Sequence, residues 1–304
     1  MNNASDIFLS ILIPTWNRCE SVLDAVKSAG PEADDVEVIV VDDGSDEAIA
    51  RRLHDGLRSF SNVKLFWNAK NFGMAGNWNK CISHASGQWM GILCDDDVYY
   101  ERAIERALSI MRSMPEPVLI VQDPSLDVDV LRCASGRETV ATLRLPILAG
   151  NFWHRKIVEE LGGFNERFIY SADAEYWPRI AARFPVVKVK APFAEYKKHA
   201  TNYMWKTWRE PDFLEQTEAL ARTVASYTDE DAKTIEKKTD DSLWSTVLTI
   251  ISSSFMEKDK MDIFLKYFPE ILKRARSMKR KFDLIRRLFL SLASRFRRSL
   301  IGGG

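Results

Sequence analysis

Cys94, Asp95, Asp96 and Asp97 follow directly on the apolar run Trp89-Met90-Gly91-Ile92-Leu93, which sets three carboxylates at the end of a buried strand. Adjacent carboxylates raise one another's pKa unless a cation neutralises them, and oxygen ligands suit a hard ion such as Mg²⁺ or Mn²⁺. The competing reading is a solvated acidic turn ahead of the next helix. A second acidic turn, Asp42-Asp43-Gly44-Ser45, stands about fifty residues earlier, again between a strand-like run and a helix-like one. There an aspartate can accept from the N–H of a nucleotide base while Ser45 or Asp46 caps the helix that follows. Asp173 lies near Phe168, Tyr170 and Trp177, and desolvation among aromatic rings would lift its pKa toward that of a useful general base. Asp173 also suits the N-cap of a helix over 174–183, and Glu175 is the second candidate for the base.

The elements that must position these groups are legible over the first hundred residues. Apolar runs at 8–13, 36–41, 63–67 and 89–93 alternate with helix-like stretches at 19–29, 46–60 and 75–85. Continuous β-branched runs mark strands covered on both faces, and βαβ alternation predicts a parallel sheet with right-handed crossovers. Ligands of such sheets bind beyond the carboxyl ends of the strands. Thr15-Trp16-Asn17-Arg18 and both acidic turns fall there. From about Asp212 onward the chain reads as helical.

With 304 residues and 46% apolar content the chain can bury a large core. Its four cysteines are widely spaced without a CxxC pair, which points away from zinc and disulfide frameworks and toward a reducing compartment. No basic, apolar leader opens the sequence, and no run reaches the roughly 18 apolar residues of a spanning helix. The formal charge of zero hides an asymmetry: eleven of the 43 basic residues, but one acid, lie within 273–298. There Phe282, Ile285, Phe289, Leu292, Phe296 and Leu300 recur at helical spacing among the arginines, the pattern of an amphipathic helix on an anionic membrane. A helix docked on the body with a solvated arginine face is the alternative. The acidic remainder argues against nucleic acid as a partner.

Five segments in order resemble the inverting family 2 glycosyltransferases of bacterial glycan biosynthesis: Ser10-Ile11-Leu12-Ile13-Pro14-Thr15-Trp16-Asn17-Arg18; Val40-Val41-Asp42-Asp43-Gly44-Ser45; Asn71-Phe72-Gly73 with Asn77-Trp78-Asn79-Lys80-Cys81; the aspartate triplet; and Gly162-Gly163-Phe164-Asn165-Glu166 with Ser171-Ala172-Asp173-Ala174-Glu175-Tyr176-Trp177. The resemblance implies an α/β GT-A fold, Rossmann-like, with a mostly parallel sheet and flanking helices, over residues 1–211, and a helical C-terminal extension over 212–304. It implies that Pro14, Thr15, Asn17, Arg18, Asp43, Asn71, Gly73, Asp95 and Asp96 bind the nucleotide sugar, Asp43 at the base and Asp95 at the ribose. Asp96, with His199, would hold Mn²⁺ or Mg²⁺ against the diphosphate. Cys94 stands where the family often has another aspartate. Asp173 would be the catalytic base, with Trp153, Glu175 and Trp205 as sugar or acceptor contacts.

The implied activity is metal-dependent transfer of a sugar, from a UDP-sugar for preference, to a hydroxyl of a glycan, a lipid-linked oligosaccharide or a lipopolysaccharide core. The implied setting is the inner face of the cell membrane, with the enzyme attached peripherally through its basic tail. A sugar nucleotidyltransferase is the rival enzyme, opposed by the lack of a Gly-rich phosphate loop after the first strand. An inactive nucleotide-sugar-binding membrane scaffold is the rival from another class.

Overall fold

A computed structural model describes residues 7–29, 33–143, 148–195, 206–228, 231–256 and 261–274. His199, Trp205 and the basic stretch from 275 onward lie outside the described residues.

The elements run β1 (Leu9–Thr15), α1 (Glu20–Ser28), β2 (Val36–Asp42), α2 (Glu47–Leu57), β3 (Val63–Trp67), α3 (Gly73–His84), β4 (Trp89–Ile92), β5 (Val98–Tyr99), α4 (Ala103–Arg112), β6 (Leu119–Gln122), β7 (Val130–Cys133), α5 (Arg137–Thr142), β8 (Asn151–His154), α6 (Arg155–Leu161), α7 (Ala172–Arg183), β9 (Val186–Val189) and β10 (Ala194–Glu195). Eight strands form one sheet in the order β3-β2-β1-β4-β8-β6-β9-β7, and β5 pairs with β10. The first four strands are parallel, as their continuous apolar runs predict. The sheet then turns mixed, because β8 lies antiparallel to both β4 and β6, and β7 antiparallel to β9.

β1 and β2 are buried along their whole length. β1 runs through Pro14 to Thr15, beyond its expected end. Proline removes a ladder donor, but β4 pairs only with Leu9 to Leu12, so Pro14 sits where one flank of β1 is already unpaired. Leu9, Ile11, Ile13, Val22, Val38, Val40, Leu53 and Trp89 share one core cluster under α1 and α2. Truncating a side chain such as Ile11, fully buried there, costs about 2–5 kcal/mol.

At the opposite end of β2 from the acidic turn, Glu37 is buried and its Oε1 accepts from Ser10 Oγ (2.6 Å), Ser86 N (2.7 Å) and Ser86 Oγ (2.7 Å). Lys64 Nζ pairs with Oε2 at 2.6 Å. Burial alone would raise this carboxyl's pKa; the bonds from Lys64, Ser10 and Ser86 overcome it and hold the value down at about 2.

The described residues form two compact units, the first reaching residue 195 and including 227–228, the second comprising 206–226, 231–256 and 261–274. Residues 206–211, expected with the first unit, belong to the second. There Tyr267 Oη donates to Trp208 O (2.7 Å), Lys266 Nζ donates to Arg209 O (2.8 Å) and Glu210 O (2.7 Å), and Arg209 pairs with Asp262 at 2.7 Å. The second unit is helical as expected, with α8 (Phe213–Ser226), α9 (Ala232–Met256) and α10 (Met261–Arg274). Among the described residues no helix is long and apolar enough to cross a membrane.

Candidate active site

Three parallel strands, β1, β2 and β4, deliver the motif residues to one edge of the sheet. Beyond β1, Asn17 adopts a left-handed φ of 53°, a conformation asparagine tolerates better than most residues. Its N–H donates to Ser45 Oγ (2.7 Å) and its Oδ1 accepts from Asp46 N (2.8 Å), stapling the loop after β1 to the turn after β2. Ser45 in turn donates to Asp42 Oδ1 through Oγ (2.5 Å) and N (3.1 Å). Ser45 is thus spent on its own turn, and Asp46 makes no side-chain bond to the helix it precedes, so the expected cap of α2 is absent. Gly44 takes φ +73°, and a Cβ there would approach the Lys70 carbonyl carbon to 3.0 Å, so only glycine lets the two loops close together.

Asp43 is 2% exposed and faces α3. Its Oδ1 accepts from Asn68 Nδ2 (2.8 Å) and Phe72 N (3.0 Å), and its Oδ2 from Gly73 N (3.0 Å). Asn71 Oδ1 accepts from the same Gly73 N–H at 2.8 Å. Helix α3 is therefore capped from another strand, which explains why it starts at Gly73, two residues before its expected start. Asn77, buried in α3, accepts from Asn68 Nδ2 through Oδ1 (3.0 Å) and donates to Val41 O (3.1 Å).

The loop after β4 holds the acidic triplet. Thr15 Oγ1 donates to Asp95 Oδ2 (2.7 Å), and Arg18 Nη1 meets both Asp95 Oδ1 (2.7 Å) and Asp96 Oδ2 (2.5 Å). Burial pushes the Asp95 carboxyl up to about 6 and outweighs the downward pull of Arg18 and Thr15. Ligand atoms of Cys94, Asp96 and Asp97 all lie within 4.8 Å of one another. The Cys94 thiol is raised well above its ordinary value, first by burial and then by Asp97, Asp96, Asp95 and Asp173. At neutral pH it is therefore a neutral thiol, and the hard donors of the cluster are the two carboxylates. Those two carboxylates fit Mg²⁺ or Mn²⁺.

Asp173 lies in the first turn of α7, which begins one residue upstream of it, so it is a helical residue and not the N-cap. It is half-buried by surface yet enclosed by protein, and that burial pushes its pKa up to about 6, against the pull of the Asp173 and Ala174 amides. Its negative charge is among the influences that raise the Cys94 thiol, after burial and the three aspartates of the loop.

Two expected contact residues are placed otherwise. Trp153 is fully buried and packs edge-on against Phe164, Tyr176 and Trp177, with ring centroids 5.4 to 6.2 Å apart. Glu175 is fully buried, pairs with Arg179 at 2.8 Å and accepts a hydrogen bond from Tyr227 Oη. Neither presents surface to a sugar: one fills the core under α7 and the other neutralises Arg179, which anchors Leu161 O (2.5 Å) and Gly163 O (2.6 Å).

Asn79, in the same motif, braces a second loop of the site. Its Nδ2 donates to Phe164 O (3.0 Å) and Glu166 Oε1 (2.9 Å), and its Oδ1 accepts from Phe164 N (2.8 Å). The amide thus ties α3 to the loop that leads into α7, and Gly163 leaves it room, since a Cβ there would meet Asn79 Oδ1 at 2.3 Å. The signal in the sequence is a helix, Gly-Met-Ala-Gly-Asn-Trp-Asn-Lys-Cys, with two amides among buried residues, which must find partners.

Comparison with known proteins agrees with this geometry. The chain is similar to a GalNAc(5)-diNAcBac-PP-undecaprenol beta-1,3-glucosyltransferase of Campylobacter jejuni, 34% identical over 92 residues, 29% of each chain. It resembles the S. aureus TarS 1-349 structure in complex with UDP-GlcNAc, with a TM-score of 0.61 at 15% identity over 88% of this chain and 81% of that one. It also resembles the mannosyltransferase PcManGT of Pyrobaculum calidifontis in complex with GDP-Man and Mn²⁺, with a TM-score of 0.52 at 14% identity over 97% and 88%. These two structures share the fold. Several curated relatives are much longer than their matched parts, which span 18%, 32%, 15% and 57% of their lengths. Residues 10–135 match the model of glycosyl transferase family 2.

Proposed function

We propose that this chain is an inverting glycosyltransferase that moves a sugar from a nucleoside-diphosphate donor to a hydroxyl of a glycan or lipid-linked acceptor. What supports the reading is that the charge of Asp173, with those of Asp97, Asp96 and Asp95, raises the Cys94 thiol. A base with a pKa near 6 beside a group of hard oxygen donors is what a single displacement at an anomeric carbon requires. A loaded Mn²⁺ or Mg²⁺, held by Asp96 with Asp97, would supply neutralising charge for the departing diphosphate. His199, the other expected ligand, lies outside the described residues.

The chain's own groups do the rest. Thr15 holds Asp95 toward the ribose, and the Asp43 turn, braced by Asn68 and α3, receives the base. Asp173 takes the acceptor hydroxyl's proton, the acceptor oxygen bonds to the anomeric carbon from the opposite side, and the bond to the diphosphate oxygen breaks with its electron pair. No covalent enzyme intermediate is formed.

UDP-sugars are the first donors to test, given the TarS likeness, with GDP-sugars second because of PcManGT. An undecaprenol-linked acceptor is supported by the Campylobacter relative and by the basic amphipathic tail, which would hold the enzyme at an anionic leaflet. Titration calorimetry with UDP and GDP tests the donor site. One of them is expected to bind more tightly with Mn²⁺ than in EDTA in the wild type, with the Mn²⁺ enhancement lost in Asp96→Ala. An enhancement that survives in Asp96→Ala would overturn the metal assignment.

A further inference from the structure

Arg18 Nη1 reaches two carboxylates at once, 2.7 Å from Asp95 and 2.5 Å from Asp96. Asp95 also accepts from Thr15, and the side chains of Asp95 and Asp96 are 13% and 21% exposed. Arg18 itself is 32% exposed, so its side chain can rotate outward without unpacking the core, while the backbone beneath it is fixed by the Asn17, Ser45 and Asp46 bonds. Asp96 is also a member of the candidate cation cluster, so the guanidinium and a divalent ion seek the same carboxylate.

We propose that Arg18 is an internal cation that holds Asp96 until a nucleoside diphosphate arrives, so that metal binding follows nucleotide binding. This rests on the metal role given to Asp96 above. A positive charge in contact with Asp96 opposes an incoming dication and weakens its binding to the bare protein. A diphosphate offers the guanidinium a two-pronged partner, the geometry that arginine favours. Once Arg18 has moved to the phosphates, its charge no longer opposes a metal at Asp96. Binding is thereby ordered, and a free metal ion is kept out of a site with no substrate.

The test is Mn²⁺ binding followed by electron paramagnetic resonance of the free ion, on the full chain, for the wild type and for R18M and R18Q, each checked by thermal unfolding. Without nucleotide, the neutral variants should bind Mn²⁺ about tenfold more tightly or better, because a contacting like charge is gone. In EDTA the same variants should bind UDP or GDP more weakly. The opposite signs matter, since loosening of the loop would weaken both. R18K, which keeps the charge, should move Mn²⁺ affinity less than R18M. Unchanged or weaker Mn²⁺ affinity in folded R18M and R18Q would overturn the proposal. Absence of Mn²⁺ binding from every protein, with nucleotide present, would instead remove the metal reading on which it rests.

Discussion

At the scale of single residues, the carboxyl of Asp173 makes the most specific prediction. Its pKa of about 6 is raised, so the protonated form persists to higher pH than in an ordinary aspartic acid. A general base acts only when deprotonated. Activity should therefore climb with pH, with kcat/KM increasing tenfold per unit below about 6 and levelling above it. Initial rates at saturating metal from pH 4.5 to 8 measure this; a profile flat down to pH 5 would assign the proton transfer elsewhere. The aspartates were legible in the sequence because chemistry forces such residues to strand ends. The partners of Asp43 were not, since three of its bonds come from residues 25 to 30 positions away that no local pattern links to it. Trp153 and Glu175 misled for the same reason: residue type suggests a sugar contact, while burial is decided by a helix and strand far apart in the chain.

Among the elements, α3 joins the two halves of the site, capped by Asp43 at its start and tied by Asn79 to the loop before α7. Asn79→Ala removes both backbone bonds to Phe164, which should loosen the placement of Asp173 more than the nucleotide site. The expected result is a fall in kcat of about tenfold or more with nucleoside-diphosphate affinity within about twofold of wild type, since misplaced catalytic groups lose rate before ground-state binding. Equal losses in both would mean that α3 itself is disrupted.

Glu37 tests the other end of the sheet. Its pKa lies near 2 in the folded protein and higher in the unfolded chain, so its stabilising effect is complete above about pH 4.5 and drains away as pH falls toward 2. The depression is worth on the order of 3 kcal/mol at neutral pH. Urea unfolding at pH 7 and pH 3 should show Glu37→Gln less stable than wild type at pH 7, with a smaller loss on acidification. The strands and helices of the first hundred residues were legible because strands covered on both faces are mostly apolar. The mixed half was not, because β6, β7, β8 and β9 span four residues each, too short to show a period.

For the molecule as a whole, the basic segment gives a prediction of its own. Deleting residues from Met278 onward should leave unfolding of the catalytic unit unchanged and release the protein from anionic vesicles in flotation assays. Each basic side chain near such a surface contributes about 1 kcal/mol, screened by salt, while the apolar stripe contributes a salt-insensitive part. Full-length protein that ignores anionic vesicles at low salt would remove the membrane role. The central claim concerns turnover, and it is tested most directly by nucleoside-diphosphate release. Purified wild type and Asp173→Asn are incubated with Mn²⁺, a panel of UDP- and GDP-sugars and a lipid-linked or glycan acceptor. The account predicts catalytic release from one donor by the wild type, and release at least about 10²-fold slower by Asp173→Asn with diphosphate affinity retained. Release at the wild-type rate by Asp173→Asn, or none from any donor by the wild type, would contradict it.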